Sequence, residues 1–194
     1  MKNVLRRSAR GARRRLAALA AVALSREACE RVKALRAFSE AQDVVLYLAT
    51  DGEVATEFLA AAARVAGKRI FYPAVVDGGL EFLEDQGRGR RDGRWGIPEP
   101  ISDHPLKAGG AKTLLIVPGV AFDLLGQRLG RGAGAYDRAL ARHAAATRIG
   151  LAYEFQVVPL IPRGSWDVPM DYVVTNARVI DACRLGDGTE GSLQ

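Results

Sequence analysis

The segment from residue 117 to residue 140 contains the residue types best suited to binding phosphate groups. Glycines allow backbone N–H groups to approach an anion, and a helix that follows adds the favourable end of its dipole. Arginine supplies forked donors that match phosphate oxygens. An apolar run at residues 113–118 leads into the segment, which then crosses a loop that contains Gly126, Arg128, Gly130, Arg131, Gly132 and Gly134. The pattern predicts a phosphate-binding loop, although the glycines alone fit a flexible surface loop equally well.

The same loop also satisfies a dinucleotide-binding pattern. Gly130, Gly132 and Ala135 match G-x-G-x-x-A, and Glu154 follows about 20 residues later, near the end of the next predicted strand. In dinucleotide-binding domains the first glycine follows its strand almost at once, whereas eleven residues lie between Pro118 and Gly130 here. A nicotinamide- or flavin-dependent Rossmann-type oxidoreductase is therefore a less favoured alternative.

Apolar, β-branched runs alternate with helical patterns along the chain. We predict strands at residues 43–49, 68–73, 80–84, 113–118, 148–153 and 171–175, the last with a short continuation at 178–180, and helices at 2–24, 26–37, 56–66 and 136–146, with Ser25 as an N-cap. This alternation predicts an α/β fold, a single three-layer domain with a mostly parallel open sheet and helices on both faces. Ligands bind such sheets beyond the carboxyl ends of the strands, so the site is expected in the loops after residues 49, 73, 118 and 153.

Length and composition fit one domain. The chain has 194 residues, of which 48% are hydrophobic, enough for one ordinary core. We expect a single domain over 1–194, with N-terminal helices within 1–38 and a flexible tail over 180–194. Cys29 and Cys183 show neither metal-binding spacing nor a disulfide framework. No apolar stretch approaches the roughly 20 residues that span a bilayer. A soluble, cytoplasmic protein without a membrane partner is expected, with a monomer as the default.

The positive charge is concentrated at the N-terminus. Residues 1–36 contain eleven Lys or Arg against two Glu, while the net charge of the whole chain is +6. A non-catalytic module that binds RNA or another polyanion through this stretch and the 88–94 loop is a second alternative. That loop has no interleaved aromatic residue before Trp95, so no nucleic-acid partner is expected. Residues 87–110 show little periodicity, which is typical of a long loop that covers a site or is disordered.

Residues 118–140, PGVAFDLLGQRLGRGAGAYDRAL, closely resemble the signature of the 5-formyltetrahydrofolate cyclo-ligase family. That signature runs from Pro-Gly-x-Ala-Phe-Asp through Arg-Leu-Gly-x-Gly-x-Gly-Tyr-Tyr-Asp-Arg. Further matches lie in the family's order at VVLYLATDGEVAT (44–56), GIPEP (96–100), AYEFQVVPLIP (152–162) and WDVPMDYVVT (166–175). The resemblance implies a ligase of one-carbon metabolism that uses ATP and Mg²⁺ to close 5-formyltetrahydrofolate, a reduced folate, into 5,10-methenyltetrahydrofolate, with release of ADP and phosphate.

The resemblance also implies residue roles. Arg128 and Arg131 would act in catalysis. ATP would contact Lys2, Arg6, Arg128, Leu129, Gly130, Arg131, Gly132, Ala133, Gly134, Ala135 and Tyr136. The folate substrate would contact Leu48, Glu53, Arg131, Gly132, Ala133, Gly134 and Ala135. Mg²⁺ would be bound by Asp137 and Asp171; without the resemblance these would be interpreted as a first-turn helix acid and an acid at the start of a strand.

Three positions depart from the family pattern. Ala133 stands where the family usually has Gly, Ala135 replaces the first aromatic of Tyr-Tyr-Asp, and Trp166 stands where His commonly precedes Asp. The loss of the aromatic at 135 predicts weaker folate binding before any loss of chemistry. It is also compatible with a paralogue that binds Mg·ATP and a different acceptor. The candidate aromatic walls for the pterin are Trp95, Tyr136, Tyr153 and Phe155.

Overall fold

The computed structural model describes residues 2–76, 79–108, 110–132 and 134–187. The helices are α1 (Lys2–Arg15), α2 (Ala18–Lys33), α3 (Arg36–Glu40), α4 (Glu57–Val65), α5 (Ala135–Ala141) and α6 (Ala182–Asp187). The strands are β1 (Asp43–Val45), β2 (Arg69–Val76), β3 (Gly79–Glu84), β4 (Arg90–Arg91), β5 (Glu99–Pro100), β6 (Thr113–Pro118), β7 (Ala121–Phe122), β8 (Arg128–Leu129), β9 (Thr147–Leu151), β10 (Tyr172–Val174) and β11 (Val179–Asp181). Arg94–Gly96 and Glu154–Gln156 form short 3₁₀ helices.

The central sheet has seven strands in the order β11-β10-β9-β6-β1-β2-β3. The five inner strands are parallel, while β3 and β11 pair antiparallel at the two edges. This confirms the predicted mostly parallel open sheet. Because the inner strands run in one direction, their carboxyl ends share one edge, and the loops that leave them lie side by side there.

Successive residues of each inner strand pack on opposite faces of the sheet. On β6, Leu114 and Ile116 pack in a core cluster with α2, α3 and α4, whereas Leu115 and Val117 pack in a second cluster with α5. Strands buried on both faces have continuous apolar sequences instead of alternating apolar and polar residues. The run TLLIVP has this character and therefore predicts a strand. The two clusters confirm an α/β fold with helices on both faces of the sheet.

The N-terminal helices break at a different place from the predicted one. Ser25 lies inside α2 and is buried, and α1 ends instead at Arg15, before Leu16 and Ala17. The Ser25 hydroxyl accepts a hydrogen bond from the Ala55 amide at 3.1 Å and lies 3.1 Å from the Tyr153 hydroxyl. Ser25 therefore links α2 to the body of the domain, and the prediction that it is an N-cap is wrong.

Two further segments contain short regular elements. Within residues 87–108, β4 and β5 form a small antiparallel hairpin. The strand continuation predicted at 178–180 corresponds to β11, α6 lies within the segment expected as a tail, and residues 188–194 lie outside the described part of the chain. Strand β11 is ordered because it pairs with β10, from Tyr172↔Asp181 to Val174↔Val179. Among the described helices, none has the length and apolar character needed to cross a bilayer.

Candidate functional site

A cleft of about 430 Å³ lies at the carboxyl edge of the parallel strands. Leu48 and Thr50 line it after β1, Pro73 lines it from β2, and Pro118 lines it at the end of β6. A cavity of several hundred Å³ is the size expected for a small-molecule site. The predicted location beyond these strand ends is therefore where the structure has its cleft.

A buried carboxylate builds the loop that presents the arginines. Asp123 is fully buried and accepts hydrogen bonds from the backbone N–H groups of Leu125 at 3.0 Å, Gln127 at 2.9 Å and Ile161 at 2.8 Å. The bonds from Leu125 and Gln127 close the turn between β7 and β8, where Gly126 adopts φ +75°, a conformation that favours glycine, and the bond from Ile161 ties the turn to a distant segment. Strand β8 of this hairpin, Arg128–Leu129, ends at the mouth of the phosphate-binding loop predicted from the sequence.

Arg128 is paired with Asp137 across that loop. One guanidinium nitrogen, Nη2, lies 2.9 Å from both carboxylate oxygens of Asp137, and the guanidinium carbon lies 5.6 Å from the centre of the Tyr136 ring. Both charged side chains are largely buried. Removing either partner of such a buried pair strongly destabilises a protein, because the remaining buried charge is left without an opposite charge. The pair fixes a cation and a carboxylate side by side in the cleft.

Arg131 extends from the same loop to the far wall of the cleft. Its Nη2 lies 2.6 Å from the Thr50 hydroxyl and 3.1 Å from Glu53 Oε1. Glu53 is also 3.7 Å from Arg13 Nη1 and accepts the Thr50 amide at 3.1 Å. The loop after β1 and the glycine loop are thus joined by one polar network around the cleft.

The basic face of α1 is turned toward the cleft. Arg6 Nε donates to the Gly130 carbonyl at 3.0 Å, and Lys2 Nζ lies 3.4 Å from Asp167 Oδ2. Arg13, on the same helix, is buried and lies 3.1 Å from Asp51 Oδ2. These three cations therefore pack against carboxylates and carbonyls of the domain.

Family comparison agrees with this arrangement. A model described as the 5-formyltetrahydrofolate cyclo-ligase family matches residues 1–176, from α1 through the sheet strand β10. The chain belongs to the 5-formyltetrahydrofolate cyclo-ligase family.

Individual cyclo-ligases show the same relationship. A 5-formyltetrahydrofolate cyclo-ligase of Escherichia coli (strain K12) is 36% identical over 146 residues, which cover 72% of this chain and 80% of the relative. The NMR structure of Aquifex aeolicus 5,10-methenyltetrahydrofolate synthetase superposes with a TM-score of 0.82 at 32% identity, covering 93% of this chain and 92% of that one. A synthetase of Mycoplasma pneumoniae, with a TM-score of 0.69 at 23% identity over 90% of this chain and 98% of that one, shares the fold.

The cyclo-ligase cleft brings together almost all of the residues that the sequence pointed to. The predicted residues that line it are Lys2, Arg6, Leu48, Glu53, Arg128, Leu129, Gly130, Arg131, Gly132, Gly134, Ala135, Tyr136 and Asp137. Ala133 lies outside the described residues. Gly134 has φ +63° directly before α5, so the turn into that helix favours a residue without a side chain.

Asp171 is the exception. It precedes β10 at the amino edge of the sheet, where its carboxylate accepts the Arg148 amide at 2.6 Å and lies 2.8 Å from Arg148 Nη2. The cleft is at the opposite, carboxyl edge, so the prediction that Asp171 shares a site with Asp137 is wrong. Asp167, four residues earlier in the same Asp-x-x-x-Asp segment, lines the cleft instead. The sequence contains a signal for Asp167: a residue that starts a parallel strand, as Asp171 does, lies at the amino edge of the sheet, whereas ligands bind at the carboxyl edge.

The predicted aromatic residues divide between the cleft and the core. Tyr136 lines the cleft, and burial together with the nearby Glu53 raises the pKa of its phenol, which keeps it protonated as a donor. Tyr153 is buried and stacks on Phe155 with ring centres 5.4 Å apart, and neither lines the cleft. The side chain of Trp95 lies outside the described residues. Trp166 lines the cleft with 75% of its surface exposed.

Proposed function

We propose that this chain closes 5-formyltetrahydrofolate into 5,10-methenyltetrahydrofolate while converting ATP to ADP and phosphate. The observation that carries the proposal is the assembly, in one cleft, of the family's glycine loop, the Arg128–Asp137 pair and the cations of α1. Relatives that carry this activity in their names match most of the chain.

The chemistry needs no protein nucleophile. The formyl oxygen of the substrate bonds to the γ-phosphorus as the bond to ADP breaks. The N10 nitrogen of the folate then attacks the activated carbon and releases its proton to solvent, and the carbon–oxygen bond breaks with loss of phosphate. Arg128 and Arg131 supply positive charge to the transferred phosphoryl group, and Lys2 and Arg6 bind the nucleotide from α1. Catalysis here consists of positioning and charge stabilisation, the usual contributions of a protein to phosphoryl transfer.

The donor set of the cleft fits Mg²⁺. This ion is commonly held by one or two carboxylates together with substrate phosphates and waters. Asp137 and Asp167 both line the cleft and offer carboxylate oxygens. The described residues contain no cluster of three or more His, Cys, Asp or Glu, so the phosphates of ATP would complete the coordination. We propose Asp137 and Asp167 as the Mg²⁺ ligands; the ion would neutralise phosphate charge.

The two alternative functions are less well supported. Arg6 and Arg13 of α1 contact groups of the cleft rather than a surface that could bind a polyanion. The residues between β6 and Gly130 form the β7–β8 hairpin. A dinucleotide-binding turn has no such hairpin between its strand and its first glycine, so the Rossmann-type alternative is disfavoured. We further propose a monomer in the cytoplasm that acts on a reduced folate, without nucleic-acid or membrane partners.

A coupled assay tests the proposal. Purified protein is mixed with 5-formyltetrahydrofolate and Mg·ATP, and the absorbance of the methenyl product and the released phosphate are followed together. We expect one phosphate for each methenyl group, no product without ATP, and a kcat lowered on the order of 10²-fold in Arg128→Lys, which keeps the charge but loses the fork. If the folded protein binds Mg·ATP but forms no methenyl product, the chain would be a paralogue with another acceptor. Ala135 would then be the first position to test as the cause of the changed specificity.

A further inference from the structure

Glu99 is a buried carboxylate in the wall of the cleft. Only 4% of its surface is exposed, and it lies on β5 opposite Arg91 of β4. Its Oε1 accepts the Val75 amide of β2 at 2.9 Å, which fixes the side chain against the sheet. The roles that the family signature implied do not include this residue.

The carboxylate of Glu99 retains unused acceptor capacity. Each carboxylate oxygen can accept two hydrogen bonds. The Oε1 atom accepts one hydrogen bond, from the Val75 amide. The Oε2 atom lies 3.5 Å from Nη2 of the half-exposed Arg91, a distance longer than that of a typical hydrogen bond. By contrast, Glu53 already contacts Arg131, Arg13 and the Thr50 amide. A buried anion whose acceptors are unfilled favours a ligand that brings donors.

The surroundings of Glu99 suit a flat, largely apolar ring. Apart from Arg94 of the same hairpin, the lining of the cleft on this side is apolar: Pro73, Ala74, Val75, Leu80 and Ile97. These residues belong to the β2–β3 side of the sheet and the hairpin beside it. The Lys2–Asp167 pair joins α1 to the segment that leads into β10, and β10 and β2 lie on opposite sides of β6 in the sheet order. The glycine loop, where the phosphates are proposed to bind, follows β6 along the chain.

We propose that Glu99 binds the 2-amino-4-oxopyrimidine edge of the reduced pterin. On that edge the N3–H and a 2-amino N–H point the same way, a fork that matches the two oxygens of one carboxylate as a guanidinium does. Adenine instead presents one amino group beside an acceptor nitrogen, which would face a carboxylate oxygen. Glu99 therefore selects the folate over the nucleotide at this end of the cleft. The assignment rests on the proposed function, because it takes the folate as the substrate.

Dissociation constants measured by calorimetry without ATP test the assignment independently of turnover. The ligands are 5-formyltetrahydrofolate and an analogue with a methyl group in place of the 2-amino group. Wild-type protein is expected to bind the analogue roughly 10- to 100-fold more weakly, the loss typical of a hydrogen bond to a charged group. In Glu99→Gln, where the amide N–H₂ opposes the amino group, discrimination should fall to within about threefold. The affinity for Mg·ATP should be unchanged.

The matched control is Glu81→Gln. Glu81 pairs with Ala74 across β2 and β3 but does not line the cleft, so this variant should discriminate like the wild type. Equal binding of the two ligands by wild-type protein would overturn the assignment. It would also be overturned if Glu99→Gln weakened the binding of both ligands by the same factor, because that result would show a purely structural role for Glu99. If discrimination holds but the wild type forms no methenyl product, the proposed function fails while the pterin contact stands.

Discussion

Replacing Arg13 with methionine removes a buried cation that joins α1 to the cleft. The Arg13 side chain has no exposed surface, and its guanidinium lies 3.1 Å from Asp51 and 3.7 Å from Glu53. Methionine keeps an unbranched apolar stem of similar reach, so the substitution mainly removes the charge. Asp51 keeps its contacts with Arg10 at 3.3 Å and Arg14 at 3.4 Å, whereas Glu53 loses a buried partner.

The expected loss of stability follows from this burial. Removing one partner of a buried ion pair typically costs about 3–5 kcal/mol, and the lower end applies because Asp51 retains two arginines. For a chain of this size about 3 kcal/mol corresponds to a fall in Tm of about 6–12 °C. Arg14 contacts the same carboxylate, but 73% of its side chain is exposed, so Arg14→Met should cost less than about 1 kcal/mol.

The effect should also depend on pH. Burial raises the pKa of Asp51, but Arg13, followed by Arg14 and Arg10, outweighs burial and holds that pKa below its usual range. A carboxylate whose pKa is lowered in the folded state contributes stability above its unfolded pKa of about 3.9, and this contribution is lost as the pH falls through the folded value. The difference between wild type and Arg13→Met should therefore be full at neutral pH and shrink below about pH 4.

Thermal unfolding followed by circular dichroism measures all three proteins at pH 7 and across the acid range. We expect a large fall in Tm for Arg13→Met and a small one for Arg14→Met. Equal shifts in the two variants would contradict this expectation, because they would show that burial does not decide the strength of these pairs. A difference that stays constant below pH 4 would refute the part assigned to Asp51.

Three other substitutions probe the cleft and its supports. Asp123→Ala leaves three backbone N–H groups without their acceptor, so the free energy of unfolding in urea should fall by at least about 3 kcal/mol, and a fall below 1 kcal/mol would contradict that role. Ala135→Tyr restores the family's aromatic and should lower the KM for 5-formyltetrahydrofolate with little change in kcat; an unchanged KM would show that position 135 does not contact the folate. Trp166 is exposed in the cleft, so Mg·ATP should change its fluorescence in Trp95→Phe, and a spectrum without change would place the nucleotide elsewhere.

The sheet could be predicted because its signal is local. Runs such as residues 113–118 are apolar on both faces, which is typical of strands between two helical layers, and the segment that leads to the glycine loop begins after the last of these residues. The break between α1 and α2 was misplaced because its cause is distant. Ser25 resembles an N-cap in the sequence, and its buried bond to the Ala55 amide, thirty positions away, decides otherwise.

The choice between the two acids of one segment failed for a similar reason. Asp167 and Asp171 are of equal type and four residues apart, so spacing does not separate them. The start of β10 separates them, because it assigns Asp171 to the amino edge with Arg148 and leaves Asp167 beside Lys2. Glu99 was missed because its importance comes from burial and from the Val75 amide, and neither is visible in the short GIPEP motif.

Methenyl formation by wild type, Asp167→Asn and Asp171→Asn, measured side by side over a Mg²⁺ titration, tests the reaction and its metal site together. We expect ATP-dependent product from the wild type, near-normal turnover in Asp171→Asn once it is folded, and a strongly reduced response to Mg²⁺ in Asp167→Asn. Folded wild-type protein that makes no product with ATP would contradict the cyclo-ligase assignment. A loss confined to Asp171→Asn would contradict the placement of the metal site in this cleft.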